Sequence, residues 1–402
     1  LSQPVLGILT LYLNENKRLE ERPVYQRMIA ASHKLGMEAF VFTPQDVDSD
    51  KKQINGMFYN PKKRQWTRQW TSFPHLIFDR CRIQNTYRFR ELLRFRARYS
   101  HLNFLNRPLR NKWTIYQMLR TNSEIHPYLP ETKLYSSAND VHQLMKKEKL
   151  VFLKPINGTG GRGILRIEKI KARSVKYDIQ GRDHQRRIIR PQRISPSLLS
   201  SKLANWNARD RYIVQQGIAI KLPNGRVHDY RLLVQKNGEG NWSYTGCAGR
   251  IGPSRSVTSN LHGGGQAVPM MKLLQEWIGD DEKVDSIRLK IEELGIETAS
   301  FLEEKYGALC ELALDLAIDR EGHPWILEVN PKPAREVFAQ AGEHDIYHQA
   351  IVKPIEYALF VYNTKIKVKS KLKSKSRRRR KARVSTLSGL FSLRSIFKKS
   401  PL

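Results

Sequence analysis

The stretch Glu311-Leu-Ala-Leu-Asp-Leu-Ala-Ile-Asp-Arg-Glu-Gly-His-Pro-Trp-Ile-Leu-Glu-Val-Asn-Pro-Lys-Pro333 gathers residues able to do chemistry. Its alternating apolar residues predict two strands joined by a tight turn at Asp319-Arg-Glu-Gly322. A turn centred near Arg320-Glu321 sets Asp315 roughly opposite Glu328. Asn330 shares the face of Glu328, because strand side chains repeat every two residues. Two carboxylates and an amide oxygen on one hairpin face suit a hard divalent cation, Mg²⁺ or in its place Mn²⁺, shared with nucleotide phosphates. The plain alternative is a half-buried hairpin with ordinary surface acids.

A phosphate site elsewhere in the chain would favour the metal reading, and Asn157-Gly-Thr-Gly-Gly-Arg-Gly163 offers one. This loop lies between two predicted strands, Leu150–Lys154 and Ile164–Ile167. That placement excludes a Rossmann fingerprint and a P-loop, which both need a following helix. A glycine-rich hairpin tip can fold over polyphosphate with its backbone N–H groups turned to the oxygens. Gly158, Gly160, Gly161 and Gly163 permit the close approach because no Cβ intervenes. Lys154, at the end of an apolar strand, and Lys112, at the start of a helix region, are each a phosphate ligand or a snorkelling edge residue.

A middle group follows. His228-Asp-Tyr-Arg231 puts Asp229 and Arg231 on one strand face. Arg250 follows the predicted strand Trp242–Ala248, and Asn260-Leu-His-Gly-Gly-Gly265 is a second glycine-rich loop. Arginines directed into a cleft bind a carboxylate or a transferring phosphoryl group. Surface salt bridges are the alternative for the arginines, and His262 reads as a satisfied loop histidine.

The elements that must position these residues are of mixed class. A strand over Val5–Leu13, a helix over Tyr25–Leu35 ending at Gly36, and strands over Ala39–Phe42 and His75–Asp79 open an α/β unit that closes near Leu105. A helix over Thr114–Arg120 follows, with strands over Arg211–Gln216 and Tyr230–Gln235. Helices are predicted over Trp277–Leu294, Ser300–Tyr306 and, despite Pro354, His344–Phe360. Residues 170–210 are basic and broken by prolines, and read as a mobile lid or a family-specific insertion.

The 402 residues suffice for two or three domains with real cores. Cys81, Cys247 and Cys310 fit no zinc or redox spacing, which points to free thiols in a reducing cytosol. There is no run of about 18 apolar residues, hence no expected membrane span. The opening Leu1-Ser-Gln-Pro lacks a basic segment before an apolar one, so no signal peptide is expected; the absent initiator Met suggests a trimmed chain or an unusual start codon. The net charge is +33, and residues 365–402 carry fifteen Lys or Arg and no acid. Without them 56 basic residues still face 38 acidic ones. Such a field attracts nucleic acid, anionic lipid or acidic protein without choosing among them. The block Arg377–Arg383 reads as a disordered, solvated tail. Beyond it Leu387, Leu390, Phe391, Ile396 and Phe397 have roughly helical spacing, read as an amphipathic helix on an anionic membrane or partner, or as a frayed end.

The order of these parts resembles an ATP-grasp domain, and most resembles the YheC/YheD family of endospore coat-associated proteins. The closer match rests on Gly-Thr-Gly-Gly-Arg-Gly, Gln-Gln-Gly-Ile, Asp-Tyr-Arg-Leu-Leu-Val and Leu-Glu-Val-Asn-Pro-Lys-Pro, and the resemblance covers about residues 5–360. It implies an α+β ATP-grasp fold: an N-terminal open α/β domain (1–105), a nucleotide-binding subdomain with the glycine hairpin and basic insertion (106–217), a metal and substrate subdomain (218–364), and the tail (365–402). It further implies that ATP lies between two α+β subdomains and activates a carboxylate as an acyl phosphate, which an amine or thiol attacks. By position, Lys112 and Lys154 would contact phosphates and adenine, and Gly158 to Gly163, Thr159 included, would cover the phosphates. Gln215, Gln216 and Ile218 would form the adenine hinge, with Asp229 and Asn260 also on the nucleotide side. Asp315, Glu328 and Asn330 would hold Mg²⁺, and Arg231 and Arg250, with Lys154, would stabilise charge on the transferred phosphoryl group or the substrate carboxylate. Two positions depart from the family pattern: Asp315 stands where Glu is common, and Gln216 where an acid often contacts ribose.

Three function classes stay open at this level. One is a Mg²⁺-dependent ligase of carboxylate and amine substrates, cytoplasmic and associated with the spore coat. Another is a coat structural or adaptor protein that keeps the nucleotide fold and anchors through its basic tail to an anionic surface or coat protein. The last is non-specific nucleic-acid binding through the tail, whose few aromatics disfavour single-strand stacking.

Overall fold

Apolar runs buried on both faces build the centre of the first sheet, as parallel strands between helices require. In the computed structural model, which describes residues 3–368 except 83, 85, 159, 172–173 and 262–263, these runs are β1 (Val5–Leu9), β2 (Glu38–Phe42) and β6 (Leu76–Asp79). β1 lies between β2 and β6 and pairs with both in parallel. β3 (Val47–Asp48), β4 (Gln53–Asn60) and β5 (Gln65–Ser72) extend the sheet antiparallel beyond β2. Helices α1 (Arg22–Lys34) and α2 (Tyr87–Arg98) belong to this unit. Past α2, Phe104 bridges to Ile77 at the edge of β6.

The second sheet has the order β11-β10-β9-β8-β12-β7. Its strands are β7 (Thr132–Leu134), β8 (Leu150–Pro155), β9 (Ile164–Lys171), β10 (Val175–Arg182), β11 (Ile188–Ile194) and β12 (Tyr212–Gln216). Helices α3 (Lys112–Leu119), α4 (Ala138–Lys147) and α5 (Leu199–Leu203) accompany it. The sequence left residues 170–210 without assigned elements, and the structure supplies them. Most of that segment is two sheet strands and a short helix, and Tyr177, Ile179, Leu199 and Leu203 are buried in the same core as Leu153 and Val214.

The third sheet is antiparallel, in the order β15-β14-β13-β16-β17. It comprises β13 (His228–Lys236), β14 (Trp242–Ile251), β15 (Gln266–Pro269), β16 (Glu311–Ile318) and β17 (Pro324–Asn330). On one face Tyr230, Leu232, Leu314 and Leu316 pack against α6 (Met270–Ile278) and α7 (Asp281–Tyr306). On the other, Leu233, Ala248 and Ala313 lie under α8 (Glu336–Gln340) and α9 (His344–Val361).

Two elements reach beyond their own sheet. Ile115 and Leu119 of α3 are buried in the core of the third sheet. Ile351, Ile355 and Ala358 of α9 are buried with Met28 and Ile29 of α1 in the first unit. Tyr362–Ile366 continues α9 as a π-turn, so the basic run starting at Lys365 begins on a helix. The rest of that run, with Arg377–Arg383 and the apolar residues from Leu387 on, lies outside the described residues. Among the described residues no helix is long and apolar enough to cross a membrane, and all three cysteines are buried free thiols.

Candidate nucleotide and metal site

Cross-strand register assembles the site. Asp229 on β13 pairs with Arg250 on β14, Arg231 on β13 with Asp315 on β16, and Asp315 with Glu328 on β17. These positions alternate with the apolar residues that face α6 and α7, so period-two patterning sends the charges to the opposite face. The Asp315–Glu328 pairing depends on a bulge. Ile318 faces Pro324 and Leu316 faces Ile326, so an unbroken register would set Asp315 against Leu327. The irregularity between Asp315 and Leu316 admits one extra residue and brings Glu328 opposite instead.

Charges of opposite sign alternate across this face. Arg231 donates from Nε to Asp315 Oδ1 at 2.6 Å and from Nη2 to Oδ2 at 2.9 Å. Arg250 grips Asp229 in the same forked way, at 2.7 and 2.6 Å, and its Nη2 lies 3.1 Å from Asp315 Oδ2. Bidentate guanidinium–carboxylate pairs of this kind are strong and directional. Burial works to raise the proton affinity of Asp315, but Arg231 and Arg250 outweigh it and hold the carboxyl down at about 2. Burial opposes the charge on Arg250, and Asp229 and Asp315 more than restore it.

The lysines approach from the second sheet and from α3. Asn111 caps α3 by accepting from Thr114 N at 2.9 Å, which places Lys112 on the first turn. Lys112 Nζ lies 3.1 Å from Glu328 Oε1 and also donates to Gly158 O. Lys154, near the end of β8, donates to Gln215 Oε1 at 2.6 Å, and Gln215 in turn donates to Thr132 Oγ1 at 3.1 Å. Burial pushes the Lys154 ammonium down to about 8, against the upward pull of Glu328 and with a further push from Lys112.

The glycine loop closes over this cluster. Gly160 and Gly161 have φ of +65° and +72°, and a Cβ on Gly161 would come within 2.5 Å of Asn260 Nδ2. Only glycine takes that backbone and that contact cheaply. One cleft is bordered by Lys112, Lys154, Gly158, Gly160, Gly161, Gln216, Ile218, Asp229, Arg231, Arg250, Asn260, Asp315, Glu328 and Asn330. Gln215 and Gly163 stand back from it: Gln215 is spent on Lys154, and Gly163 packs toward Tyr212 and His184. Thr159 and His262 lie outside the described residues.

Sequence reasoning passed over Arg162, Thr258 and Ser259, which also border the cleft. The hydroxyl-rich run Ser254–Asn260 directly after β14 was the available signal for the last two. Phe152, Ile164, Ile220 and Leu327 add an apolar wall.

The residues fit a hard cation. Among the described residues no three of His, Cys, Asp or Glu converge, so an oxygen set of three requires the amide of Asn330. That amide is available: its Nδ2 is buried with no partner among the described residues, and rotation about the terminal bond exchanges oxygen for nitrogen. Glu328 spends one oxygen on Lys112, and Asp315 is shared by two arginines. A cation here would therefore compete with side-chain cations for the carboxylates.

Residues 101–361 match the family described as YheC/D like ATP-grasp. The chain belongs to this family. It is 28% identical over 335 residues to the endospore coat-associated protein YheC of Bacillus subtilis (strain 168), covering 82% of this chain and 90% of that protein. It is 24% identical over 367 residues to YheD of the same organism, covering 89% and 79%. Among solved structures, D-cycloserine synthetase DcsG superposes with a TM-score of 0.52 at 14% identity, over 89% of this chain and 98% of that one, which is a likeness of fold. The α+β ATP-grasp fold expected from the motifs is the fold of the chain.

Proposed function

We propose that the chain is a Mg²⁺-dependent ATP ligase that joins a carboxylate to an amine or thiol, acting in the cytoplasm in association with the endospore coat. One observation carries this reading: the Asp315–Glu328 pair, the amide of Asn330, two lysines and the glycine loop border a single cleft. In this reading the apolar wall and the Gln216–Ile218 hinge take the adenine, and Gly158–Gly163 with Lys112 and Lys154 takes the phosphates. Mg²⁺ on Asp315, Glu328 and Asn330 would neutralise phosphate charge. A substrate carboxylate oxygen attacks the γ-phosphorus as the bond to ADP breaks. The amine nitrogen then attacks the acyl carbon, phosphate leaves, and the amine proton passes to solvent or a base. Arg231 and Arg250, fixed by Asp315 and Asp229, would face the charge that develops on the phosphoryl group and the carboxylate. The names of the curated relatives support the coat association.

A non-catalytic coat adaptor has one observation in its favour. Asp229, Asp315 and Glu328 are each already paired with a side-chain cation, so a metal ion would have to displace one of these partners.

Calorimetric titration of ATP with and without Mg²⁺ tests the nucleotide site on which the ligase reading depends, and ADP release with a carboxylate–amine pair separates it from the adaptor. Glu328→Ala is the variant of choice, because Glu328 is more exposed than Asp315 and its loss frees only Lys112. Mg²⁺-dependent binding that weakens about tenfold or more in Glu328→Ala is expected, and would justify screening carboxylate–amine pairs for ADP release. No binding in either condition would leave the adaptor reading in place.

A further inference from the structure

The cations around the cleft differ in how they are partnered. Lys112, Arg231 and Arg250 are held by carboxylates and Lys154 by Gln215. Arg162, Arg182 and Arg186 have no acidic partner among the described residues. Arg182 is buried on β10 and donates to Ser256 Oγ at 3.4 Å. Arg186 sits in the β10–β11 turn, its Nε buried without a partner and its Nη2 where a Cβ on Gly160 would lie 2.5 Å away. The acid of that turn is already taken: Asp183 accepts from the backbone N–H groups of Gln185 and Arg187 and from Arg187 Nε at 2.6 Å. Arg186 also holds φ of +68°, a conformation that Gly or Asn takes more cheaply. Burial, then the charges of Arg162 and Arg182, lower the proton affinity of Arg186, so the guanidiniums act on one another as like charges.

Three segments meet here: the glycine loop, the β10–β11 turn and the hydroxyl-rich run after β14. Lys112 touches the glycine loop at Gly158, while Arg186 packs on it at Gly160. Arg162 borders the cleft, and Arg182 and Arg186 do not. Phosphates held by the lysines would therefore leave the arginines uncompensated. Clustered guanidiniums lacking a carboxylate are matched by planar or tetrahedral oxyanions.

We propose that Arg162, Arg182 and Arg186 form an oxyanion subsite at the rim of the cleft, apart from the nucleotide phosphates, which receives a second carboxylate or a phosphate ester of the substrate. This rests on the ligase reading and makes the substrate at least doubly anionic: one carboxylate is activated inside the cleft and another oxyanion is held at its rim.

The test uses the full chain saturated with Mg-ADP. Fluorescein-labelled triglutamate is titrated by anisotropy, with unlabelled triglutamate, triglutamine and phosphoserine as competitors. The variant Arg182→Gln/Arg186→Gln is compared with one in which Arg377, Arg378, Arg379 and Arg380 are all changed to Gln, which reports binding by the tail. The expected result is a loss of about tenfold or more in triglutamate affinity in the Arg182/Arg186 variant, with Mg-ATP affinity held within about twofold. Triglutamine should not compete, and the better of triglutamate and phosphoserine identifies the oxyanion. Unchanged triglutamate affinity in that variant overturns the proposal. So does a parallel loss of Mg-ATP binding, which would assign the arginines to the nucleotide. If wild-type chain takes no Mg-ATP, the ligase reading falls, and the same comparison without nucleotide decides the subsite by itself. Arg186→Gln alone, in the β10–β11 turn, gives the same comparison if the double variant does not fold.

Discussion

Lys154 is charged below a pH of about 8 and neutral above it, because burial disfavours the ammonium. In its proposed role as a phosphate ligand, a lysine with this property gives nucleotide binding a pH limit. Mg-ATP affinity should fall as pH rises from 7 to 9, and the fall should vanish in Lys154→Arg, whose guanidinium stays protonated. Calorimetry at three pH values checks this, and a flat wild-type profile would remove Lys154 from the phosphate site. The ladder Arg250–Asp229 and Arg231–Asp315 shows what single residues did not reveal. The spacing of Asp229 and Arg231 is legible in the sequence, and so is the approximate facing of Asp315 and Glu328. That both arginines are saturated by these acids was not legible: Arg231 and Asp315 are 84 residues apart, and the facing of Asp229 and Arg250 depends on a β13–β14 register that shifts between Leu233 and Val234. Asp315→Ala is a poor probe for the same reason: it strips Arg231 of its acidic partner and so mixes lost folding with lost metal binding.

At the scale of elements, two glycines carry opposite meanings that sequence alone did not separate. The pattern over Trp277–Leu294 reads as one helix, yet the chain breaks at Gly279, which ends α6 with φ of +78°. It then reads as a break before Ser300, yet α7 runs unbroken for 26 residues through Gly295. The first is a left-handed C-cap. The second is a packing position: a Cβ on Gly295 would lie 2.5 Å from Leu232 Cδ2 and 3.0 Å from Val234 Cγ1, so α7 lies close on β13 because that side chain is missing. Gly295→Val should therefore destabilise by about 1–3 kcal/mol through overpacking, despite the better helix propensity of Val. A lowered urea midpoint checks it; an unchanged or raised midpoint would show that the helix can shift outward at no cost. The β4–β5 hairpin escaped notice for a different reason. The run Gln65-Trp-Thr-Arg-Gln-Trp-Thr-Ser72 is mostly exposed and polar, and offers no apolar alternation to read.

Across the whole molecule, the segment after the β16–β17 hairpin ties the third sheet to the first unit through buried charge. Asn106 Nδ2 donates to Pro331 O at 2.8 Å, Lys332 Nζ lies 3.4 Å from Asp79 Oδ1, and Arg80 donates to Pro333 O at 2.9 Å. Glu311, fully buried at the start of β16, is held by Arg80 on one oxygen and by Arg335 on the other. Gln235 adds a third bond at 3.0 Å. Arg80 reaches back to Glu21 at 2.8 Å, and Arg82 shares that acid. The motif Leu-Glu-Val-Asn-Pro-Lys-Pro is thus anchored on the N-terminal unit as well as in its own sheet, a long-range use of residues that local pattern cannot expose. The network is asymmetric, and that makes it testable. Arg80→Met leaves Glu21 with Arg82 and Glu311 with Arg335 and Gln235, so each acid keeps a cation. Glu311→Leu leaves Arg335 buried with backbone carbonyls and no acid among the described residues, and frees one arm of Arg80. An uncompensated buried charge costs about 3–5 kcal/mol. Glu311→Leu should show a loss of that size in urea unfolding, and Arg80→Met a clearly smaller one. Equal losses would mean that the pairs act as one unit, and that the N-terminal unit and the β16–β17 hairpin unfold together rather than being joined by a single dominant contact.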